Sequence, residues 1–251
     1  MRPLIAGNWK MNLLRRQGAD LAAAVARGLR GTDAGVDVTL FPPFPAVAAV
    51  VEAVADSEIT VGGQDLHAED AGAHTGAISG PMLLDMGATR VLVGHSERRQ
   101  EFGESDEVVN LKLKAALRHD ILPVLCVGDT HDEREAGQTE AVVERQVRTG
   151  LEGVVTGRAA EITVAYEPVW AIGTGVTATP DEAAAVHARI HALLQELWGQ
   201  AAESVRVLYG GSVTPGNAAD LLTRPGIEGA LVGGASLDAR DFCAIVRAAC
   251  A

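Results

Sequence analysis

Glu167 follows the apolar, β-branched run Ile162-Thr163-Val164-Ala165 and is followed at once by Pro168. Proline has no N–H and biases the residue before it away from helix. The pattern therefore predicts a strand buried on both faces that stops here, with a carboxylate at its C-terminal tip. Val169-Trp170 is stiff and bulky, while Ala171-Ile172-Gly173-Thr174-Gly175 is small and glycine-punctuated. A stiff hinge joined to a pliable tip makes a cover for whatever the carboxylate acts on. A solvated Glu at an ordinary strand–loop–helix junction is the plain alternative. The other chemical residues decide between the two.

His95 precedes Ser-Glu-Arg-Arg-Gln-Glu-Phe, which reads as a short helix. A helix N-terminus disfavours positive charge, so His95 is expected to be neutral, and a neutral imidazole still donates one N–H to a carbonyl oxygen. Lys10 is one of only three lysines, with Lys112 and Lys114, among 21 Lys and Arg. It stands beside Asn8 and Trp9 at the end of an apolar start, Pro3-Leu4-Ile5-Ala6, where it would support a developing oxyanion. Gly210-Gly211 and Gly233-Gly234 let backbone N–H groups approach a ligand where a helix N-terminus can follow, which suits a phosphate. A base, an electrophile, an oxyanion support and an anion cradle together describe proton abstraction beside a carbonyl in a phosphorylated small molecule. If a cover excludes water, the pKa of Glu167 is expected to rise.

These residues share a place only if the chain brings strand ends together. Strands are expected near Leu4–Trp9, Val36–Phe41, Ile59–Gln64, Val91–Val93, Leu122–Val127, Ile162–Ala165, Val205–Tyr209 and Ala230–Val232. Helical stretches separate them. One starts with Thr179 as cap, Pro180 and Glu182, another with Thr214-Pro215. Eight strand–helix alternations without a linker or repeat imply parallel strands and crossover helices. In about 250 residues that is the size of an α/β fold of the closed (β/α)8 barrel type, a TIM barrel, with residues 1–251 as one domain. The first turn lacks the G-x-G-x-x-G of a doubly wound sheet. A barrel gathers the C-terminal strand ends at one mouth, which is where Asn8, Lys10, His95, Glu167, Ser212 and the glycine pairs fall.

Composition narrows the partners. The net charge of -12 and pI of about 5.0 argue against nucleic acid or an anionic membrane surface, both of which require a basic face. Three cysteines, Cys126, Cys243 and Cys250, lack metal-ligand spacing, and no metal is expected. No apolar run approaches the ~20 residues of a membrane span, and no signal peptide is expected; a cytoplasmic location is the simplest. A Schiff-base aldolase would require a strand lysine where the sixth strand offers Glu167. A metal-dependent epimerase would require His and Asp ligands at strand ends. A silent sugar-phosphate binder should have lost Glu167 or His95.

The motifs Gly7-Asn8-Trp9-Lys10-Met11-Asn12, Val93-Gly94-His95-Ser96-Glu97-Arg98-Arg99, Leu125-Cys126-Val127-Gly128, Ala165 to Gly175, Tyr209 to Val213 and Leu231 to Leu237 occur in this order. The chain resembles the triosephosphate isomerase family over essentially its whole length. The resemblance implies interconversion of dihydroxyacetone phosphate and glyceraldehyde 3-phosphate without a cofactor. It implies Glu167 as proton shuttle, His95 polarising the substrate oxygens, and Asn8, Trp9 and Lys10 in contact with substrate. Backbone donors at Gly173, Ser212, Gly233 and Gly234 would hold the phosphate, and Glu97 would orient Lys10. It also implies a homodimer through residues 65–79, with Thr75 reaching the neighbour's site. Three positions depart from the family pattern. Ala77 stands where Glu is usual, so an ion pair with the neighbour's Arg98 is expected to be absent. Val176 takes a hinge position that is often Lys, and Asp129 replaces the usual Glu.

Overall fold

The computed structural model describes residues 1–32, 35–171 and 178–250. Eight parallel strands, β1 (Leu4–Asn8), β2 (Asp37–Phe41), β3 (Thr60–Gly63), β4 (Arg90–Val93), β5 (Leu122–Val127), β6 (Thr163–Tyr166), β7 (Arg206–Tyr209) and β8 (Gly229–Val232), close in sequence order into a barrel. β1 pairs with both β2 and β8, which leaves no edge strand among the described residues. Among the described residues, ten α-helices surround the ring: α1 (Arg15–Leu29), α2 (Val47–Val54), α3 (Gly80–Asp85), α4 (Ser96–Phe102), α5 (Asp106–Arg118), α6 (His131–Glu135), α7 (Thr139–Gly150), α8 (Pro180–Trp198), α9 (Ala218–Leu222) and α10 (Ala239–Ala248). α10 packs back on α1 and β1, so the chain's end braces its beginning.

Local chemistry explains the element boundaries. On α1, Gly18, Ala22 and Val25 are buried at helical spacing against the sheet. α8 begins as its sequence foretells: Thr179 Oγ1 accepts the Glu182 N–H at 3.2 Å and Glu182 Oε2 accepts the Thr179 N–H at 2.8 Å. The start expected at Thr214-Pro215 is corrected. There Asn217 Oδ1 accepts the Thr214 N–H at 2.7 Å, a turn forms, and the helix begins only at Ala218.

Two apolar layers result. One lies between the sheet and the helices and the other fills the barrel, where Ala6, Leu92, Cys126, Ala165, Leu208 and Leu231 belong to a single interior cluster. Between α8 and the strands sits His187, fully buried against the rings of Tyr166 and Tyr209. Its Nδ1–H donates to the Gly226 carbonyl at 2.8 Å. Burial opposes the charged form and, despite that carbonyl, lowers its pKa from 6.5 to about 4. The unfolded chain takes up this proton near pH 6.5 and the folded chain only near pH 4. Stability from this site is therefore complete above the first value and is lost as pH falls toward the second. By pH 5 the loss is about 2 kcal/mol. Urea unfolding of wild type and His187→Asn should show the stability gap between them shrink by about that amount from pH 7.5 to pH 5. A gap independent of pH would clear His187.

Candidate active site

Side chains alternate along a strand, so two residues beyond an inward position the chain faces inward again. Stepping two residues from the six interior residues above gives Asn8, Gly94, Gly128, Glu167, Gly210 and Gly233. Two of these mouth positions carry polar side chains and four carry none. Space requires glycine at Gly94, Gly128 and Gly210, whereas a Cβ at Gly233 would meet nothing nearer than Lys10 Cε at 3.7 Å. A Cβ at Gly128 would lie 1.7 Å from the Glu167 carbonyl oxygen, and one at Gly210 would lie 2.9 Å from Glu167 Cγ. The vacated mouth is a cavity of about 320 Å³ bordered by Asn8, Trp9, Lys10, His95, Glu167, Ser212, Gly233 and Gly234, among others.

Glu167 is held from two sides. Its Oε2 accepts the Ser96 N–H at 2.9 Å, and its Oε1 lies 2.9 Å from His95 Nε2. His95 caps α4, and its Nδ1 accepts the Glu97 N–H at 3.3 Å. A nitrogen that accepts an N–H carries no proton, so the ring's proton sits on Nε2 and is donated to Glu167. The charges pull in both directions. Burial disfavours the His95 imidazolium, but the Glu167 carboxylate favours it and prevails, holding His95 above its ordinary value. For Glu167, burial pushes the carboxyl up, while His95 and the Ser96 N–H pull it down and win. The rise expected for Glu167 is thus absent in this arrangement, because its partners outweigh its burial. The upward pull on His95 comes from Glu167. With the carboxylate turned away toward a substrate, burial and the nearby Lys10 ammonium favour the neutral ring.

Lys10 Nζ donates to Glu97 Oε1 at 2.7 Å. Its backbone is left-handed, with φ of 52°, a conformation that costs a lysine about 1 kcal/mol or more. Asn8 Oδ1 accepts the Lys10 N–H at 3.0 Å, and Gln64 Nε2 donates to the carbonyls of Lys10 at 2.8 Å and Phe41 at 2.9 Å. Gln64 follows the tip of β3, a strand end to which the sequence assigned no role. Its one usable signal is an amide directly after a strand tip. The indole of Trp9 is fully buried in the layer outside the sheet, so this residue borders the cavity without offering its ring to a ligand.

Between the tips of β6 and β1, Gly210-Gly211-Ser212 and Gly233-Gly234 face the same space. A 3₁₀ turn (Gly234–Leu237) follows β8, with Ser236 Oγ donating to the Gly233 carbonyl at 2.6 Å. Asn217 Nδ2 donates to the Ser212 carbonyl at 3.1 Å, fixing the other turn. Asp129 is buried and accepts the hydroxyls of Tyr166 at 2.9 Å and Thr139 at 2.6 Å, which commits it to the wall behind β6. Gly173 and Val176 lie outside the described residues. Thr75 is exposed and is not among the residues bordering the cavity. Among the described residues, no group of three or more His, Cys, Asp or Glu is placed to hold a metal ion.

A sequence profile described as triosephosphate isomerase matches residues 3–249. The chain is 56% identical over 246 residues to a triosephosphate isomerase of Moorella thermoacetica, covering 98% of each chain. It is 52% identical to that of Xanthobacter flavus, covering 98% of this chain and 97% of the other. The crystal structure of triosephosphate isomerase from Bartonella henselae matches with a TM-score of 0.90 at 39% identity, covering 99% of each chain.

Proposed function

The chain belongs to the triosephosphate isomerase family, and on that premise we propose that Glu167, His95, Lys10 and Asn8 perform its reaction at the barrel mouth. The reaction interconverts dihydroxyacetone phosphate and D-glyceraldehyde 3-phosphate, an isomerisation of glycolysis and gluconeogenesis that uses no cofactor. One observation carries the assignment of roles: His95 Nε2 and Glu167 Oε1 lie 2.9 Å apart beside a cavity that Lys10 and both glycine turns also border.

Glu167 leaves Ser96 and His95, takes a proton from the carbon next to the carbonyl, and returns it to the neighbouring carbon. His95 donates its Nε2–H to the oxygen that gains charge in the enediolate, and the Lys10 ammonium stabilises the same charge. Backbone N–H groups at Ser212, Gly233 and Gly234 hold the phosphate, with Gly173 as a further proposed donor. A cover over the site would keep water from the enediolate and slow its loss of phosphate.

The whole chain, 1–251, acts in this reading as one cytoplasmic domain, and no described helix is long and apolar enough to cross a membrane. A second copy of the chain is the proposed partner, engaged through residues 65–79. Met11, Leu14 and Phe102 are 95%, 74% and 65% exposed, apolar side chains that a second copy would cover. Arg98 lies 4.5 Å from the Phe102 ring and pairs with Asp65 at 3.0 Å and Glu104 at 2.6 Å in its own chain. The missing acid at Ala77 therefore leaves Arg98 satisfied. A coupled assay for glyceraldehyde 3-phosphate isomerisation, with chelator present, should show full turnover at high protein concentration. If Thr75 completes the neighbour's site, specific activity should fall on dilution in step with the dimer–monomer transition seen by sedimentation. Constant activity across that transition would remove the second subunit from the site.

A further inference from the structure

The tips of β4 and β5 carry His95 and the chain segment that positions Glu167; the strands pair as far as Val93 with Leu125, and beyond that pair their connections part. A cavity of about 440 Å³, bordered by Gly94, Ser96, Arg99, Gly128, Gln146 and Glu167, lies between the two connections. Arg99, on α4, reaches across this gap. It donates from Nε to the Gly94 carbonyl at 2.7 Å and from Nη2 to the Cys126 carbonyl at 3.2 Å. Its third nitrogen, Nη1, reaches Asp106 Oδ1 at 2.5 Å, and Arg145 Nε holds the other Asp106 oxygen at 2.9 Å.

We propose that Arg99 is a positioning residue that sets the separation of His95 and Glu167. The inference rests on the roles given to those two residues above. On one side its guanidinium holds the carbonyl of Gly94, the residue directly before His95. On the other it holds Cys126 on β5. The next residue, Val127, accepts the Glu167 N–H at 2.7 Å, so the position of β5 is passed to β6. The fit is close. Gly94 has φ of 69°, and a Cβ there would lie 2.9 Å from Arg99 Nη2. Three donors in one rigid plane serve two carbonyls and a carboxylate, a task that suits arginine and that an ammonium cannot reproduce.

Arg99→Lys keeps the charge and removes the geometry. It should lower kcat by about 10- to 10²-fold, the usual result of displacing reacting groups by about 1 Å. KM should stay within about threefold, because the proposed anion cradle lies on the opposite wall. A lower melting temperature with wild-type kcat and KM in the folded enzyme would make Arg99 a structural tie only and overturn the inference. Should Arg99→Lys fail to fold, Asp106→Asn gives the second reading. It leaves both carbonyl contacts and loosens the guanidinium's far end. A several-fold fall in kcat at constant KM supports the inference, and wild-type kcat overturns it. His95→Gln run in parallel separates the two ideas. If it is fully active, the reading of the site fails; if it is impaired while the Arg99 and Asp106 variants are not, only this inference fails.

Discussion

Glu167→Asp is expected to lower kcat by about 10²-fold or more, because a base displaced by about 1 Å no longer meets its proton. The surroundings prevent recovery. The Glu167 N–H is bonded to the Val127 carbonyl at 2.7 Å, and its own carbonyl oxygen lies 1.7 Å from where a Cβ on Gly128 would stand. Pro168 follows directly. The backbone therefore cannot advance to restore the missing methylene. KM should change much less than kcat, since the proposed phosphate contacts lie at β7 and β8. Steady-state kinetics of the folded variant read both values, and unchanged turnover would take Glu167 out of the role of base.

His95→Gln is expected to lose about 10²- to 10³-fold in kcat while the fold survives, comparable with deleting one well-placed oxyanion donor. Glutamine keeps an N–H donor but loses the ring nitrogen that accepts the Glu97 N–H, so nothing orients the donor. The variant should also move the pH profile. His95 pulls the pKa of Glu167 down, and removing it leaves only the Ser96 N–H and Lys10 to oppose burial. The carboxyl should then titrate at higher pH, and the acid limb of kcat/KM should shift upward. A fully active variant would clear His95, and an unmoved acid limb would show that the two groups are not coupled.

What the sequence made legible was whatever one segment encodes alone. The eight strand–helix units, the capped start of α8, and the placing of Asn8, Lys10, His95 and Glu167 at strand ends are local patterns. The missed features each need a second segment. Gln64 matters because Lys10, just beyond β1, and Phe41, on β2, both present a carbonyl to it. Ser96 acts on Glu167 through its backbone N–H, which no residue type advertises. The direction of the Glu167 shift could not be read from burial, since its partners come from β4. Thr214-Pro215 resembles a helix start, but Asn217, three residues on, competes as an acceptor for the Thr214 N–H.

The hoop of strands is not equally well joined all round. β4, β5 and β6 meet through four registered pairs each, whereas β7 and β8 meet through one, Tyr209 with Ala230. Beside it, the Val207 N–H is bonded at 2.8 Å to the carboxylate of Glu228 in place of a strand carbonyl. The two glycine turns stand on either side of this seam. An anion held by both turns, as proposed, would add a clasp across the most sparsely paired junction of a barrel that is already closed without it.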